Sequence, residues 1–313
     1  MLIEIAIADS AARSFEFNTR EFINKYGNDL TKYHHRDNEI ITGIGTFTDD
    51  TQMTCACAEA LLQDVLPLSQ EDYAQWFVRV YERDPRGGYS RRVKGALEVS
   101  AKFTGELEWD VQYKKSRIFL DRVNPKGAPG NGAVMRAIPV GLISDPNEVV
   151  RQSILHASAT HGTMASMEAT SLIALTAHWY YHIYDKGSDI NESKHAYFTW
   201  ITKILGYGAL DNIMNRSWNG SSEIPCEARA TAAAAMALVW EFPKMSEMLK
   251  ASIEFGGDVD SVAAVALGLA SLRGTENDLP QKLYDDLENG TYGRTYLETI
   301  DEMLFKKFPK NTK

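Results

Sequence analysis

Apolar residues recur along most of the chain at intervals of three and four positions, the spacing that predicts amphipathic α-helices. Alternation of apolar and polar residues, which would predict a β-strand, occurs weakly and only over residues 39–43. The pattern therefore predicts an all-α fold. The predicted helices span residues 51–66, 71–83, 147–159, 163–184, 227–240 and 260–272.

Two of these helices lack a polar face. Residues 228–238 and 262–269 are almost all small or apolar. A helix that is apolar on every side belongs in the centre of a bundle, and its small side chains allow neighbouring helices to pack closely. We therefore expect these two helices at the centre, with more amphipathic helices around them. Two other helix starts carry capping residues, Ser69 and Asp145.

Composition places the chain among ordinary globular proteins and limits its partners. It has 313 residues, of which 44% are apolar and 24% charged, enough for one large domain or two small ones. The net charge of −9 argues against an extended nucleic-acid partner but leaves room for a local basic pocket. The sequence shows no signal peptide and no run of about eighteen apolar residues, so we expect no membrane contact.

Three cysteines, Cys55, Cys57 and Cys226, bear on the cellular compartment. Their number is odd, and Cys55 and Cys57 point to different sides of a predicted helix, so these two should not form a disulfide. No second Cys or His pair stands at the spacing of a zinc site. The cysteines therefore predict free thiols in a reducing compartment, the cytoplasm.

Two acidic clusters lie far apart in the chain, and each begins a predicted helix. Thr48-Asp49-Asp50-Thr51 follows the glycine turn at residues 43–45, and Asp258-Val259-Asp260-Ser261 follows Gly256-Gly257. Helix capping explains either cluster alone, because Asp, Ser and Thr are favoured N-cap residues. However, one cap needs one side chain, and carboxylates that converge in a buried place repel one another unless a cation neutralises them. The all-oxygen donor set predicts a pair of cations such as magnesium, manganese or calcium.

Three further segments carry weaker signals. Residues 127–132 form a glycine-rich loop before a helix predicted near Ala133, and such a loop lets backbone amides approach a phosphate. A plain connecting loop explains it more simply. His161 is explained equally simply as a capping or core histidine. The basic segment 81–92 is a candidate to lie over a pocket, although a solvated charged loop is the simpler interpretation.

Four segments together resemble the motifs of the ADP-ribosylglycohydrolase family. They are residues 45–53, 130–136, 160–162 and 256–261, and their order and spacing are similar to those of the family over residues 7–272. The family includes the enzyme that reactivates dinitrogenase reductase and the eukaryotic ADP-ribosylarginine and ADP-ribosylserine hydrolases. One such motif has little specificity, whereas four in the same order are specific.

The resemblance implies site residues in this chain. Two divalent cations, magnesium in the first place and manganese in the second, would be held by Thr48, Asp49, Asp50, Asp258, Asp260 and Ser261. The ADP-ribose would lie against His161 and the loop formed by Gly127, Ala128, Pro129, Gly130, Asn131 and Gly132. Residues 9–17 resemble a further, N-terminal motif, which implies that Glu16 transfers a proton together with the metal ligand Asp49.

We therefore predict a metal-dependent hydrolase that releases ADP-ribose from a mono-ADP-ribosylated substrate, in the first place an arginine-linked protein. We expect one domain over residues 1–313, with a frayed tail after about residue 309. Its fold class is a compact orthogonal helical bundle with the dimetal site at buried helix N-termini. We also expect a monomer in the cytoplasm.

Alternatives remain because the chain departs from the family pattern. Ala8 and Ala12 stand where the family has glycine, and Pro129 removes a backbone donor that could reach phosphate. One alternative is an impaired relative that binds ADP-ribose without cleaving it. Another is a hydrolase of serine-linked or acetylated ADP-ribose, and a third is a metal site with a purely structural role.

Overall fold

The computed structural model describes residues 1–36, 43–63, 65–105, 108–123, 129–187 and 189–311. Within these ranges the regular structure consists of helices and isolated β-bridges, without a β-strand, so the predicted all-α fold is confirmed. The weak strand candidate falls on residues 39–42, outside the described residues, and on Gly43, which lies in a bend. The α-helices are α1 (Leu2–Ala12), α2 (Arg20–Tyr26), α3 (Asp49–Gln63), α4 (Gln70–Arg83), α5 (Arg91–Ala101), α6 (Glu108–Val123), α7 (Pro146–Ser158), α8 (Met164–His178), α9 (Ile190–Leu205), α10 (Tyr207–Met214), α11 (Ala228–Glu241), α12 (Met245–Phe255), α13 (Val259–Arg273), α14 (Gln281–Asp285) and α15 (Arg294–Lys307).

The six predicted helices are all present, with ends that differ from the prediction by a few residues. The helix predicted over residues 51–66 is α3, which ends at Gln63. The helix predicted over residues 163–184 is α8, which ends at His178 and continues as a π-helical turn over Trp179–Ile183. The hydrophobic period therefore locates the helices well and their last turns less well.

The two predicted caps are formed. Ser69 and Asp72 make a reciprocal capping box at the start of α4, in which each side chain accepts a hydrogen bond from the other residue's amide. Asp145 accepts a hydrogen bond from the amide of Asn147 at the start of α7, with Pro146 in the first helical position. Both caps satisfy amide groups that have no partner within the helix.

The helix predicted near Ala133 is not formed, and this prediction is wrong. Hydrogen-bonded turns cover residues 132–136, and a short 3₁₀-helix follows at Ile138–Leu142. Pro139 explains the change, because proline has no amide hydrogen to donate and disfavours the α-conformation in the residue before it. The loop at residues 129–132 therefore has no α-helix N-terminus behind it to attract a phosphate.

Three helices form the centre of the bundle. α13 is buried along nearly its whole length and packs against α1, α11 and α12. The position of α11 and α13 confirms the expectation from their small and apolar residues. The third central helix, α1, is absent from the predicted helices; it has 11 residues and is shorter than α11 and α13.

Amphipathic helices surround this centre. α3 contacts α1 on one side and α4 and α15 on others, while α5 and α6 pack with α4. α7 and α8 pair with each other, and α8 also packs against α11. Among the helices in the described part of the chain, none combines the length and apolar character needed to cross a membrane.

A close approach between the 3₁₀-helix and α8 generates the first prediction. A methyl group at Gly141 would lie 2.5 Å from Ala177 Cβ and 2.7 Å from the backbone nitrogen of His178. Gly141→Ala should therefore cost about 1–3 kcal/mol of stability through forced backbone displacement. Differential scanning calorimetry should show a melting temperature several degrees below that of the wild type.

The matched control is Gly95→Ala within α5, where no atom lies within 4 Å of an added methyl group. This change should raise stability by about 0.5–1 kcal/mol, because alanine favours the helix over glycine. Equal melting temperatures for the two variants would contradict the packing described for Gly141.

Candidate functional site

A carboxylate from α1 caps the start of α3. Asp9 is fully buried. It accepts hydrogen bonds from the backbone nitrogens of Thr48 at 2.9 Å and Thr51 at 3.1 Å, and from their hydroxyl groups at 2.8 and 2.6 Å. Because Asp9 satisfies these donors, the carboxylates of Asp49 and Asp50 are not needed as caps. Capping therefore does not explain the first acidic cluster.

The second acidic cluster follows a turn that only glycine fits well. Gly256 and Gly257 have φ angles of 66° and 81°, and a side chain on Gly257 would lie 2.8 Å from the nitrogen of Ile224. Asp258 stands at the N-cap of α13, yet its side chain makes no capping hydrogen bond. It accepts one from the side-chain amide of Asn131 instead. Capping therefore fails to explain this cluster as well.

The two helix starts and the end of α1 bring five carboxylates together in what we call the acidic centre. It consists of Asp9, Glu16, Asp50, Asp258 and Asp260. Oxygens of Asp9, Asp50 and Asp260 lie within 4.8 Å of one another, and so do oxygens of Glu16, Asp258 and Asp260. All except Glu16 are buried. The predicted convergence of the two clusters is therefore present in the structure.

Burial dominates the electrostatics of the acidic centre. It raises the pKa of all five carboxyl groups above their ordinary values, and neighbouring carboxylates raise those of Glu16, Asp50 and Asp260 further. The pKa of Glu16 is raised to about 7 despite the opposing effect of the Arg36 guanidinium. Ionisation of these groups at neutral pH is therefore costly unless positive charge is placed among them.

The donor atoms of the acidic centre fit divalent cations. Oδ1 of Asp50 is buried and has no hydrogen-bond partner among the described residues. Asp260 belongs to both groups of close oxygens, so it could bridge two ions. Carboxylate oxygens are the ligands that magnesium and manganese prefer. Two hydroxyl groups lie nearby: that of Thr48 is 3.5 Å from Asp50 Oδ2, and Ser261 lines the adjacent cavity.

A cavity of about 410 Å³, the first cavity, opens onto the acidic centre. Asp49, Asp50, Asp258 and Asp260 line it together with Glu16. The first cavity is also lined by residues that the resemblance places against ADP-ribose. They are Pro129, Gly130, Asn131, Gly132 and His161. Gly127 and Ala128 lie outside the described residues.

His161 supports the loop at residues 129–132. An added Cβ at Gly132 would lie 2.7 Å from His161 Cε1, and one at Gly130 would lie 3.3 Å from Nε2, so both glycines are pressed against the ring. Burial and the charge of Arg136 hold the pKa of His161 well below its ordinary value. His161 is therefore a buried, neutral side chain that also lines the first cavity.

Two arginines that the sequence alone does not single out also line the first cavity. Arg136 is almost fully buried and donates to the carbonyl of Gly132 at 2.7 Å and to the hydroxyl of Thr160 at 2.6 Å. Burial lowers its pKa to about 10, so it stays charged at neutral pH. Arg92 lies 3.5 Å from His161 Nε2. Their positive charge gives the cavity a basic side near the 129–132 loop.

The basic segment 81–92 reaches the site, so its interpretation as a merely solvated loop is wrong. Gly88, Tyr89, Ser90 and Arg92 line the first cavity. A side chain on Gly88 would collide with the carboxylate of Asp49, and Gly88 has a φ angle of 97°. The paired glycines before Tyr89 were the available signal, because a chain that passes over another group needs a residue without Cβ.

The expected strain at Ala8 and Ala12 does not arise. Both are buried within the regular helix α1, where alanine is more favourable than glycine. The unusual backbone lies further on, at Phe17, which has a φ angle of 47° and donates its amide to the carbonyl of Gly257 at 2.8 Å. This contact ties the residue after Glu16 to the turn before α13.

The fold and the site together define an all-α protein with a carboxylate-rich cavity suited to divalent cations. The family model described as ADP-ribosylglycohydrolase matches residues 1–313. The chain belongs to the ADP-ribosylglycohydrolase family, as the resemblance of its motifs predicts. It is thus a hydrolase of glycosidic bonds.

Individual relatives agree with this assignment. The chain is 26% identical over 318 residues to the ADP-ribosylhydrolase ARH3 of Xenopus tropicalis, covering 89% of this chain and 87% of the relative. It is 32% identical over 133 residues to ARH3 of Mus musculus, covering 42% of this chain and 34% of the relative. A solved structure described as an ADP-ribosylglycohydrolase-related protein complex has the same fold, with a TM-score of 0.70 and 22% identity over 97% of this chain and 95% of that one.

Asp50→Asn tests the balance of charge in the acidic centre. Without divalent cations the variant should be at least as stable as the wild type, because it removes a carboxylate from a repulsive buried cluster. At a magnesium concentration a hundred times Kd, the wild type should gain about 2.7 kcal/mol of stability, and its melting temperature should rise accordingly. The melting temperature of the variant should rise much less. Differential scanning fluorimetry measures both effects.

The control for this prediction is Asp121→Asn, an exposed position on α6. It should leave the magnesium-induced rise unchanged. A full magnesium response in Asp50→Asn would show that the acidic centre is not the cation site.

Proposed function

We propose that the protein is a metal-dependent hydrolase that releases ADP-ribose from mono-ADP-ribosylated protein. The observation that carries the proposal is the composition of the first cavity, which joins the acidic centre to a basic side formed by Arg92 and Arg136. ADP-ribose has the matching distribution of groups, with ribose hydroxyls at one end and an anionic diphosphate in the middle. Cation-held carboxylates suit the hydroxyls, and guanidinium groups suit the diphosphate.

The proposed cation ligands are Thr48, Asp49, Asp50, Asp258, Asp260 and Ser261, with magnesium as the first candidate and manganese as the second. Asp9 and Glu16 lie next to these residues, and this supports the proposal. Together the carboxylates place more negative charge in one site than hydrogen-bond donors of the protein alone can balance. When bound, the cations would supply Lewis acidity toward the ribose hydroxyls and a nearby water molecule.

Glu16 is the proposed proton-transfer residue, assisted by Asp49. Its carboxyl group lines the first cavity and lies beside Asp258 and Asp260. A pKa raised to about 7 lets such a group exist in both protonation states near neutral pH, as general acid–base catalysis requires. It would protonate the departing atom of the substrate as the glycosidic bond breaks, and it would take a proton from the water that adds to the anomeric carbon.

The loop at residues 127–132 is the proposed seat of the diphosphate and distal ribose. Asn131 adjoins Asp258, and Gly130 and Gly132 adjoin His161, so the described part of the loop lies between the acidic centre and His161. Arg92, 3.5 Å from His161, is placed to meet the negative charge there. Pro129 donates no amide hydrogen, but its carbonyl accepts one from Ala228 at 3.0 Å, which fixes the loop against α11.

An arginine-linked protein is the first proposed substrate, and serine-linked and acetylated ADP-ribose are the others. A relative that binds ADP-ribose without cleaving it loses part of its support, because Ala8 and Ala12 fit α1 without strain. A cytoplasmic monomer is also part of the proposal. The three cysteines support the compartment, since all are free thiols.

The test is release of ADP-ribose from defined ADP-ribosylated peptides, followed by chromatography with and without magnesium. Wild-type protein should release ADP-ribose in a magnesium-dependent way. Glu16→Gln should lower kcat by about 10²–10⁴-fold through loss of proton transfer while still binding ADP-ribose. Calorimetry measures that binding.

Glu21→Gln, an exposed position on α2, is the matched control and should keep wild-type activity. Binding of ADP-ribose without release from any linkage would support the non-catalytic alternative. Full activity in Glu16→Gln would remove Glu16 from the mechanism.

A further inference from the structure

A second cavity of about 430 Å³ adjoins the first. Glu16 and Gly88 line both cavities, so Glu16, alone among the residues of the acidic centre, lies at the boundary between them. The second cavity also contains Thr46, Phe47 and Thr48 on one wall and the segment 84–87 on another. Three arginines complete its lining, Arg13, Arg36 and Arg86, together with Glu288.

Because Glu16 lies between the two cavities, the two parts of a substrate whose bond breaks beside it would lie in different cavities. This step depends on the proposed function, in which a glycosidic bond breaks beside Glu16. The atoms on the two sides of that bond must extend in different directions from the same carboxyl group. If ADP-ribose fills the first cavity, the group that leaves must extend from the boundary, and the second cavity is the adjoining space.

We infer that the second cavity binds the leaving group as part of a polypeptide segment, and that Arg36 there contacts an acidic side chain next to the modified residue. Its walls offer both polar contacts and the apolar surface of Phe47 and Pro85, a mixture that suits a peptide. The second cavity thus contributes to specificity for the modified protein and does not contact the ADP-ribose.

Among the arginines of the second cavity, Arg36 keeps donor nitrogens for a carboxylate, although its Nη2 also lies 3.4 Å from Glu16 Oε2. Arg86 is neutralised by Glu288 at 2.5 Å and by Asp84 at 2.8 Å. Arg36 has a half-exposed side chain, 40% accessible, and its contacts within the described residues all use one nitrogen, Nη2. Nε and Nη1 of Arg36 can therefore donate to a ligand, in the paired geometry that guanidinium groups form with carboxylates.

A polypeptide fits this cavity better than a nucleic acid. The carboxylates of Asp84 and Glu288 lie in the same cavity, and the whole chain carries a net charge of −9. A polyanion would be repelled by both, whereas a single acidic side chain needs only one favourable contact. The acidic segment of a modified protein is therefore the class of partner that the charges favour.

Gly87 offers a way to fill the second cavity without touching the first. Gly87 lines the second cavity and does not line the first, and no atom lies within 4 Å of an added Cβ. Its backbone carbonyl accepts a hydrogen bond from the amide of Asp49, and this contact does not depend on the side chain. In Gly87→Trp, kcat/KM for an ADP-ribosylated peptide should fall by about tenfold or more, because a bulky ring occupies the peptide's place. The Kd for free ADP-ribose should stay within about twofold of the wild-type value.

Two controls accompany this variant. Acetylated ADP-ribose has a small leaving group, so if the wild type cleaves it, Gly87→Trp should cleave it equally well. Gly208→Trp places the same ring on α10, outside both cavities and with no atom within 4 Å of its Cβ, and should behave as the wild type. Melting temperatures measured for all three proteins identify any loss that comes from misfolding.

The role of Arg36 is tested with two peptides that carry the same modified residue, one flanked by aspartates and one by lysines. The wild type should prefer the acidic peptide by about tenfold in kcat/KM, as expected for one charge-assisted contact. In Arg36→Gln the ratio of the two values should approach one, whatever the absolute rate, because the ratio cancels any effect of Arg36 on Glu16.

The outcomes separate this inference from the proposed function. If the wild type neither binds ADP-ribose nor cleaves any substrate, the proposed function itself fails. If the wild type cleaves a substrate, any of three results would overturn the inference alone. The first is peptide cleavage by Gly87→Trp at the wild-type rate, and the second is a loss of ADP-ribose binding in that variant as large as its loss of peptide cleavage. The third is a wild-type preference for the lysine-flanked peptide or for an ADP-ribosylated oligonucleotide.

Discussion

The mutual repulsion of buried carboxylates is the constraint on which this structure depends. Asp9, Asp50, Asp258 and Asp260 lie together and are almost fully buried, and burial raises the pKa of each. Hydrogen bonds compensate them unequally: Asp9 accepts four, Asp258 accepts one from Asn131, and Asp260 accepts one from the amide of Ser261. The buried Oδ1 of Asp50 keeps no partner among the described residues. Such a cluster costs stability unless positive charge is placed among its members.

The central helices explain how the carboxylates can converge. α1 and α13 pack closely, and Gly268 on α13 lies against Ile5 of α1 with no room for a methyl group. Asp9 then reaches from α1 to cap α3, and the amide of Phe17 reaches the turn before α13. The same contacts that join the helices thus aim Asp50, Asp260 and Glu16 at one place. Packing and the site are not separable here.

The sequence predicted the parts of the fold and site that leave a local pattern. The apolar stretches of α11 and α13 and the paired acids at residues 49–50 and 258–260 were recognisable in this way. The capping role of Asp9 was not, because it depends on a contact between α1 and the start of α3, about forty residues away in the chain. The approach of Gly88 to Asp49 left only the paired glycines at residues 87–88 as a local signal, and these do not show which distant residue the segment contacts. The helix predicted near Ala133 is absent because Pro139 interrupts the apolar pattern that suggests it.

The most direct test of the central claim is a crystal structure with manganese and ADP-ribose, with anomalous scattering used to place the ions. The account predicts two manganese peaks beside Asp260, within reach of Thr48, Asp49, Asp50, Asp258 and Ser261, with the ADP-ribose in the first cavity. It also predicts that these carboxylates turn their free oxygens to the ions. A structure with ordered ADP-ribose but no ion beside Asp260 would contradict it.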